Sequence, residues 1–183
     1  MHVQLVIDTR EHALIEELGQ HVTFKVEQLD LGDIVFRGDD GDVLVIERKT
    51  VADLKASICD GRHREQKARL VGSGIPRDRI AYLIEGNLDR PIDSKIRGFP
   101  VSTLVGSLIN TQLRDGIRVY KTRSVRETAA YLRRLLAKLL SDGDTFFADD
   151  GRGVTPLQYS ATLRKRKKDN MSPSTWFVAA LAL

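Results

Sequence analysis

Residues 32–53 read GDIVFRGDDGDVLVIERKTVAD, and this stretch predicts a β-hairpin followed by a helix. Two short runs of apolar, largely β-branched residues flank a turn-forming cluster of Gly and Asp at 38–42. Asp33 and Glu47 each lie seven residues from position 40, the midpoint of that turn. A symmetric antiparallel register would therefore place the two acids opposite each other, with Cβ atoms roughly 5 Å apart.

Two facing carboxylates destabilise a sheet unless a cation lies between them. Lys49 follows Glu47 by two positions, so its side chain is expected on the same face of the strand, and Asp53 lies one helical turn further on. Hard oxygen ligands beside a lysine are typical of Mg²⁺ sites that act on phosphates. The alternative is that both acids are solvated and that Glu-Arg-Lys is an ordinary charged strand end.

Alternating strand and helix patterns extend over the first 140 residues. Strands are predicted at 3–8, 22–29, 31–37, 43–49, 79–85 and 117–121, and helices at 11–19, 50–71, 101–115 and 124–140. The three strands between 22 and 49 are expected to form a meander. This order indicates an α/β fold with a central mixed β-sheet flanked by helices.

Several motifs also occur with the spacing of the XPF/MUS structure-specific endonuclease domain, which the chain resembles from about residue 3 to residue 140. They are Asp8-Thr9-Arg10-Glu11, Leu31-Gly32-Asp33, Ile46-Glu47-Arg48-Lys49, Asp53-Leu54, Asp60-Gly61-Arg62 and Tyr82-Leu83-Ile84-Glu85-Gly86. The signature Gly-Asp…Glu-Arg-Lys-x-x-x-Asp has no departure. The resemblance implies a restriction-endonuclease-like core and an active nuclease, not a subunit that has lost the motif.

The length and composition fit a single globular domain with a short extension. The chain has 183 residues, 42% hydrophobic and 30% charged, with a net charge of +4 and one cysteine, Cys59, which excludes an internal disulfide. It carries no secretory signal and no apolar run of the roughly 20 residues that a membrane span needs. We expect an intracellular protein without a membrane partner, nuclear if eukaryotic and otherwise cytoplasmic.

Three segments are predicted: a nuclease domain at 1–141, a linker at 142–163 and a basic lead-in at 164–183. The linker is rich in Gly and Asp and has no apolar periodicity. Residues 164–168 are five consecutive cations, which fit a solvated tail or nuclear-targeting patch as well as a functional segment. The resemblance implies that residues 164–183 lead into a tandem helix-hairpin-helix domain.

The candidate catalytic residues are Asp33, Glu47, Arg48, Lys49 and Asp53. We predict Asp33 and Glu47 as direct ligands of Mg²⁺, with the Arg48 backbone carbonyl as a third, and we expect Mn²⁺ to substitute. Lys49 would orient the attacking water and stabilise charge developing on the phosphorus. Asp53 would hold Lys49 or a metal-bound water. The Arg48 side chain is expected on the opposite face from Glu47, and the resemblance marks it as functional.

Asp8 and Glu11 are further candidate metal ligands. The resemblance implies that both join the acidic site, where a second metal would bind. The alternative is that they lie at the start of the next helix because acids are favourable there.

A cationic surface is predicted directly after the motif. The predicted DNA-binding residues are Arg10, Arg62, Arg64, Gln66 and Lys67. Gly61 is expected to interrupt the helix and turn Arg62 toward the cleft, and the resemblance places Arg62 and Gln66 near the DNA. Such side chains would bind phosphate and position the duplex without reading bases. A solvated helix face is the alternative, and His63 is expected to be exposed.

The functional prediction is a metal-dependent, structure-specific endonuclease that cuts branched DNA, such as 3′ flaps, forks and nicked junctions, in repair or recombination. One alternative is a non-catalytic DNA-binding scaffold, although a scaffold has no need of a repulsive acidic cluster. A sequence-specific restriction-type nuclease is disfavoured because no recognition insertion is visible. Helices 101–115 and 124–140 carry more apolar surface than one sheet face should need, so a homodimer through 101–140 is predicted. Core packing stays open as the alternative, and the resemblance implies that a heterodimer with an inactive paralogue is also possible.

Overall fold

A mixed β-sheet forms the centre of the fold. The computed structural model describes residues 2–146, apart from the side chains of 144 and 145. The strands are β1 (Val3–Asp8), β2 (Lys25–Glu27), β3 (Ile34–Gly38), β4 (Gly41–Thr50), β5 (Ile80–Glu85), β6 (Lys95–Ile96), β7 (Phe99–Pro100) and β8 (Arg118–Thr122). Six of them pair in the order β2-β1-β3-β4-β5-β8, while β6 and β7 form a separate ribbon. β3 is antiparallel to both neighbours, and the other pairs are parallel, which confirms the predicted mixed sheet.

Helices cover both faces of this sheet. They are α1 (His12–Gly19), α2 (Val51–Cys59), α3 (Arg62–Val71), α4 (Val101–Ile109) and α5 (Val125–Phe146). A 3₁₀ turn occupies Arg77–Arg79, and α4 continues into a π-helical turn at Asn110–Arg114. The predicted helix at 50–71 is interrupted at Gly61, as expected, because Gly61 adopts a φ of +82° before α3 begins.

The alternation of side chains along each strand creates two apolar layers. Leu5, Ile7 and Phe36 point to one face and pack with α1 and α5. Val6, Val35 and Tyr82 point to the other face and pack with α2, α3 and α4. Burying a side chain of this size contributes about 1.5–3 kcal/mol, and because both faces are covered, the central strands are apolar almost throughout.

The β3–β4 hairpin has the predicted register at the end where its acids lie. Ile34 pairs with Ile46, and the Asp33 N–H donates to the Ile46 carbonyl at 2.9 Å, so Asp33 and Glu47 are the next residues in register. Toward the turn the register shifts by one residue between Phe36 and Arg37. The symmetric turn was therefore wrong in detail, but the shift lies at the far end of the hairpin from the acids.

The predicted meander is wrong. The strand expected at 22–29 is only β2, and it pairs in parallel with β1 at the sheet edge, with β1 between β2 and β3. The chain leaves β1 through α1 and returns beside β1, which is a β-α-β crossover. The sequence does not reveal this arrangement because it depends on where α1 packs.

The last described helix extends past the predicted domain boundary. α5 ends at Phe146, beyond both the predicted helix end at 140 and the boundary at 141. An i,i+4 ion pair of 2.5 Å between Lys138 and Asp142 supports the helix where the sequence indicated a linker. The remainder of the predicted linker and the segment 164–183 lie outside the described residues. Within residues 2–146 no helix has the length and apolarity to cross a membrane.

Candidate active site

Most of the predicted acids lie at one end of the sheet, where its parallel strands have their carboxyl ends. β1, β4 and β5 run in the same direction, and Asp8, Glu47 and Glu85 occur at or near their carboxyl ends. Asp33 directly precedes β3, the antiparallel strand between β1 and β4, so it lies at the same end. The topology thus brings residues far apart in sequence into one cluster.

Asp33 and Glu47 form a repulsive, largely buried pair. Asp33 Oδ2 accepts the Arg48 backbone N–H at 2.8 Å, and only 13% of the Glu47 side chain is exposed. Burial raises the pKa of Asp33, and burial together with the negative charge of Asp33 raises the pKa of Glu47 to about 7. Two acids in this state favour a bound cation.

Lys49 lies beside this pair, on the predicted face of β4. Its Nζ is 3.9 Å from Glu47 Oε1 and donates to Gln66 Oε1, and the side chain is only 6% exposed. Burial lowers the pKa of Lys49, although Glu47 and Asp33 oppose that change. Gln66 of α3 therefore fixes the ammonium group at the edge of the acidic pair.

Asp53 has a different partner from the one predicted. Its carboxylate accepts a hydrogen bond of 2.6 Å from the Thr50 hydroxyl, and its N–H donates to the same Thr50 Oγ1 at 3.0 Å. Thr50 is the N-cap of α2, so Asp53 belongs to the capping structure at the start of that helix. This contact holds the end of β4 that follows Lys49.

Arg48 points to the opposite face of β4, as predicted, and binds two acids there. Its Nη1 donates to Glu11 at 2.6 Å, while Nε and Nη2 donate to Glu85 at 3.1 and 2.6 Å. The three side chains are only 10–14% exposed. Glu85 was absent from the predicted site, although an acid that ends a fully buried strand was a usable signal.

Asp8 and Arg10 form a closed ion pair at the end of β1. Asp8 is fully buried and accepts from the Arg10 Nε, Nη2 and backbone N–H, and from the Leu29 N–H, at 2.6–3.0 Å. The Arg10 hydrogen bond is the main reason that the pKa of Asp8 falls to about 2. Asp8 and Glu11 are thus both engaged by arginines in this structure.

A cleft of about 280 Å³ opens beside the acidic pair. Asp33 and Glu47 line it on one side, and Arg10, Gln66 and Arg69 contribute basic or polar groups. Arg69 lies three residues after Gln66 on the same helix, which places both on one face. The lining of the cleft therefore combines two acidic residues with basic and polar residues.

The remaining predicted DNA-binding residues divide between two faces of α3. Arg62 is exposed and pairs with Asp60 at 2.6 Å, and Arg64 is exposed. Lys67, in contrast, is 8% exposed and binds Asp115 at 2.9 Å and Thr111 at 2.7 Å, so its placement on the cationic surface was wrong.

The prediction that His63 is exposed was also wrong. It is buried, with Nε2 3.1 Å from Ser107 Oγ and its ring edge-on to Tyr82. His63 and Lys67 lie on the face of α3 that packs toward α4 and the π-helical turn. This packing explains both errors, because no local pattern shows which face of a charged helix another helix will cover.

The donor chemistry of the acidic pair fits a divalent metal. Among residues 2–146 no three His, Cys, Asp or Glu side chains converge as a preformed cage. Mg²⁺ does not need one, since it commonly binds one or two carboxylates and keeps several waters or substrate oxygens. Asp33 and Glu47, which repel each other in a cleft, are suited to that mode of binding.

Comparisons with known proteins agree with this fold and motif order. The model of the ERCC4 domain matches residues 7–135. Human "Structure-specific endonuclease subunit MUS81" is 34% identical over 168 residues, which cover 84% of this chain and 26% of the human protein. The Danio rerio protein of the same name is 37% identical over 151 residues, covering 71% of this chain and 24% of that protein. The chain thus spans about a quarter of the length of these curated relatives.

Solved structures show the same core. "XPF from Aeropyrum pernix" aligns with a TM-score of 0.57 and 28% identity, over 77% of this chain and 66% of that one. The same protein in a structure titled "complex with DNA" aligns with the same TM-score and identity over 78% of this chain and 66% of that one. The fold implied by the resemblance is therefore confirmed.

Proposed function

Because the chain belongs to the ERCC4 domain family, we propose that it is a metal-dependent endonuclease that cuts branched DNA. The observation that carries this proposal is the buried Asp33–Glu47 pair with Lys49 held beside it. A protein that only bound DNA would gain nothing from a repulsive acidic pair in a cleft. The names of the human and Danio rerio relatives, both structure-specific endonuclease subunits, support the same reaction.

Each residue of the cleft has a proposed role. Asp33 and Glu47 hold Mg²⁺ or Mn²⁺, which when bound would polarise the phosphate and activate a water. Gln66 positions the Lys49 ammonium, which stabilises negative charge developing at the phosphorus. Arg48 acts from the other face by fixing the backbone N–H that binds Asp33. Asp53 positions the end of β4 through Thr50.

DNA recognition is proposed to depend on shape. Arg10 and Arg69 line the cleft, and Arg62 and Arg64 lie exposed on the same helix as Gln66. These groups suit phosphate contacts, which orient a duplex and confer a strong salt dependence without reading bases. Flaps, forks and nicked junctions are the proposed substrates, and repair or recombination the process, inside the cell or nucleus.

The assembly is proposed to be a homodimer through 101–140, with pairing to an inactive paralogue as the alternative. Ile109 and Leu113 support this interface because 47% and 83% of these residues are exposed. The name of the human relative includes the word subunit, which also favours an assembly. A non-catalytic scaffold is the competing function, and the intact Asp33, Glu47 and Lys49 set disfavours it.

A cleavage assay tests the nuclease proposal. The purified chain is incubated with labelled flap, fork, nicked junction and linear duplex DNA in Mg²⁺, and we expect cleavage of the branched substrates only. Asp33→Ala, Glu47→Ala and Lys49→Ala should each reduce the rate by at least about 100-fold and leave branched-DNA affinity within a few-fold, because they act mainly on the transition state. Glu16→Gln, on the exposed face of α1, is the control.

Two results would contradict the proposal. Wild-type rates in all three variants would refute the site, and full activity in excess EDTA would refute the metal. Branched DNA that is bound but never cut, with any metal, would favour the scaffold.

A further inference from the structure

The ribbon formed by β6 and β7 is anchored to α2 by its inner side. Ile96 and Phe99 pair with each other across the ribbon and pack into the apolar layer shared with α2, α3 and α4. Lys55 of α2 donates from Nζ to the Arg97 carbonyl at 3.1 Å, and the same Nζ lies 5.8 Å from the centre of the Phe99 ring. These contacts fix the tip of the ribbon against α2.

The outer side of the ribbon carries positive charge only. Lys95 and Arg97, on either side of the half-buried Ile96, are both exposed, and no acid occurs between residues 95 and 100. Neither cationic side chain has a hydrogen bond or an ion pair within the described residues 2–146. The ribbon therefore presents two positive charges to solvent that no neighbouring carboxylate neutralises.

Arg97 also occupies a backbone conformation that arginine rarely adopts. Within residues 2–146 it is the one residue other than glycine with a positive φ, of +48°, and Gly98 follows with a φ of +80°. Two successive positive φ values between paired strands are typical of a type I′ turn, for which Asn-Gly is the preferred pair. The turn itself therefore gives no reason for an arginine, and the exposed guanidinium is the property that distinguishes this residue from the preferred one.

The ribbon lies within reach of a DNA arm that leaves the cleft. It belongs to the connection that leaves β5 at its carboxyl end, the end of the sheet where the acidic pair lies. Lys55 follows Lys49 by six residues, and at about 3.3 Å per extended and 1.5 Å per helical residue their backbones are at most about 13 Å apart. With the reach of the Lys55 side chain added, an arm needs on the order of seven base pairs at 3.4 Å each to arrive at Arg97.

We propose that the ribbon is a second DNA-binding element, in which Arg97 binds a backbone phosphate of a duplex arm that extends from the cleft. Lys95 adds a positive charge beside this contact. The inference rests on the proposed nuclease function and adds to it a contact outside the cleft. A guanidinium suits the role because it can donate two hydrogen bonds to one phosphate. Contacts at both the cleft and the ribbon select the direction of an arm without reading its bases.

Arg97→Asn separates the charge of this residue from its backbone conformation. Asparagine adopts a positive φ more readily than arginine, so the melting temperature should equal or exceed that of the wild type. Affinity for a labelled fork with long arms should fall about five- to ten-fold at about 0.1 M salt, and the slope of log affinity against log salt should decrease by about 1, as expected for one lost phosphate contact. Arg134→Gln is the matched control, because it removes the same charge from an exposed position on α5, across the sheet, and should change neither value.

The length of the DNA arm tests where the contact lies. Each duplex arm of the fork is shortened in turn to about three base pairs, which is too short to span the distance from the cleft to the ribbon. Shortening the arm that reaches the ribbon should weaken wild-type binding to the level of Arg97→Asn, and the two proteins should then bind equally. Shortening any other arm should leave the difference between them unchanged.

The outcomes separate this inference from the function on which it rests. A wild-type chain that does not bind branched DNA would overturn both, whereas a chain that binds forks and never cuts them would overturn the nuclease proposal alone. Wild-type affinity and salt slope in Arg97→Asn would overturn the ribbon contact alone. A lower melting temperature in this variant would assign Arg97 to the fold, and an equal loss of affinity on every shortened fork would place its contact at the cleft, so either result would also overturn the proposal.

Discussion

At the scale of single residues, the partner of each acid indicates whether that acid supports the structure or can bind a cation. Asp8 forms an ion pair with Arg10, and Glu11 and Glu85 form ion pairs with Arg48. Asp33 and Glu47 instead lie unpaired with any arginine side chain of residues 2–146, beside a cleft, and burial raises the pKa of both, with the charge of Asp33 adding to the rise at Glu47. The pair therefore lowers the stability of the metal-free protein, and the same two charges attract a cation.

Glu47→Gln should stabilise the metal-free protein at about pH 8. The pKa of Glu47 rises from 4.5 to about 7 on folding, so the native state binds more protons than the unfolded state between these values. Stability therefore falls as pH rises through this window. Removing the carboxylate should raise the free energy of unfolding by about 1–3 kcal/mol at pH 8 and by almost nothing at about pH 4.5.

Urea unfolding in EDTA at the two pH values measures this effect, with Glu16→Gln as the control. If Glu47→Gln did not raise the free energy of unfolding at the higher pH, or raised it more at the lower pH, the buried repulsion would be contradicted. Adding Mg²⁺ should stabilise the wild type more than the variant.

The sequence predicted the residues whose placement depends on local geometry. Strand alternation placed Glu47 and Lys49 on one face and Arg48 on the other, and the turn position placed Asp33 opposite Glu47. Lys67 was misplaced because its partners, Thr111 in the π-helical turn and Asp115 directly after it, lie more than forty residues away in sequence. The position of Glu85 at the end of a buried strand was a usable local signal, but its partners Arg48 and Thr128 come from other elements and could not be read from the sequence.

At the scale of elements, Gly32 fixes the entry into β3. It has a φ of +73°, and a Cβ added there would approach Val45 Cγ1 to 2.6 Å and the Ile46 carbonyl oxygen to 3.2 Å. Gly32 therefore allows Asp33 to lie close against β4. In the Gly-Asp pair of the motif, the glycine is needed for its backbone conformation and the aspartate for its carboxylate.

Gly32→Ala should lower the free energy of unfolding by about 2 kcal/mol or more, from the left-handed backbone and the contact with β4. It should also reduce cleavage, because Asp33 must move. Gly106→Ala in α4 is the matched control, since nothing lies within 4 Å of its added Cβ. We expect that control to be neutral or to stabilise by up to about 1 kcal/mol. Equal stability of the two variants in chemical denaturation would contradict the role of Gly32.

The two faces of α3 should respond differently to mutation. Lys67→Ala should lower stability by about 2 kcal/mol, because it removes a buried partner of Asp115 and Thr111. Its DNA affinity should keep the wild-type salt dependence. Arg64→Ala, on the exposed face, should leave the melting temperature unchanged and reduce the slope of log affinity against log salt by about 1. Thermal melts and salt titrations of a labelled fork measure both, and the reverse pattern would show that Lys67 contacts DNA.

At the scale of the whole molecule, the covered and uncovered apolar residues refine the dimer prediction. Ala129, Leu132 and Leu139 of α5 are buried against the sheet and α1, so core packing accounts for most of that stripe. Ile109 and Leu113, at the end of α4 and in the π-helical turn, stay exposed. The homodimer remains a prediction, with its centre moved toward this turn.

Leu113→Arg should convert a homodimer into a monomer. A charged group at the centre of an apolar interface is costly to bury, and an interface of about 1,600 Å² in total has only a few dominant residues. Light scattering at micromolar concentration should give twice the mass of one chain for the wild type and once that mass for the variant. Ile92→Arg, at a residue 56% exposed before β6, is the control. A monomeric wild type would leave hetero-association as the route to assembly.

The position of the β3–β4 turn has a practical consequence for single-molecule work. Asp39 and Asp40 are exposed, and they lie six to eight positions along the strands from Asp33 and Glu47. At about 3.3 Å per residue, that places the turn roughly 20 Å from the cleft. A fluorophore attached there, after replacement of the exposed Cys59, would report the distance to a labelled DNA arm without touching the reacting groups.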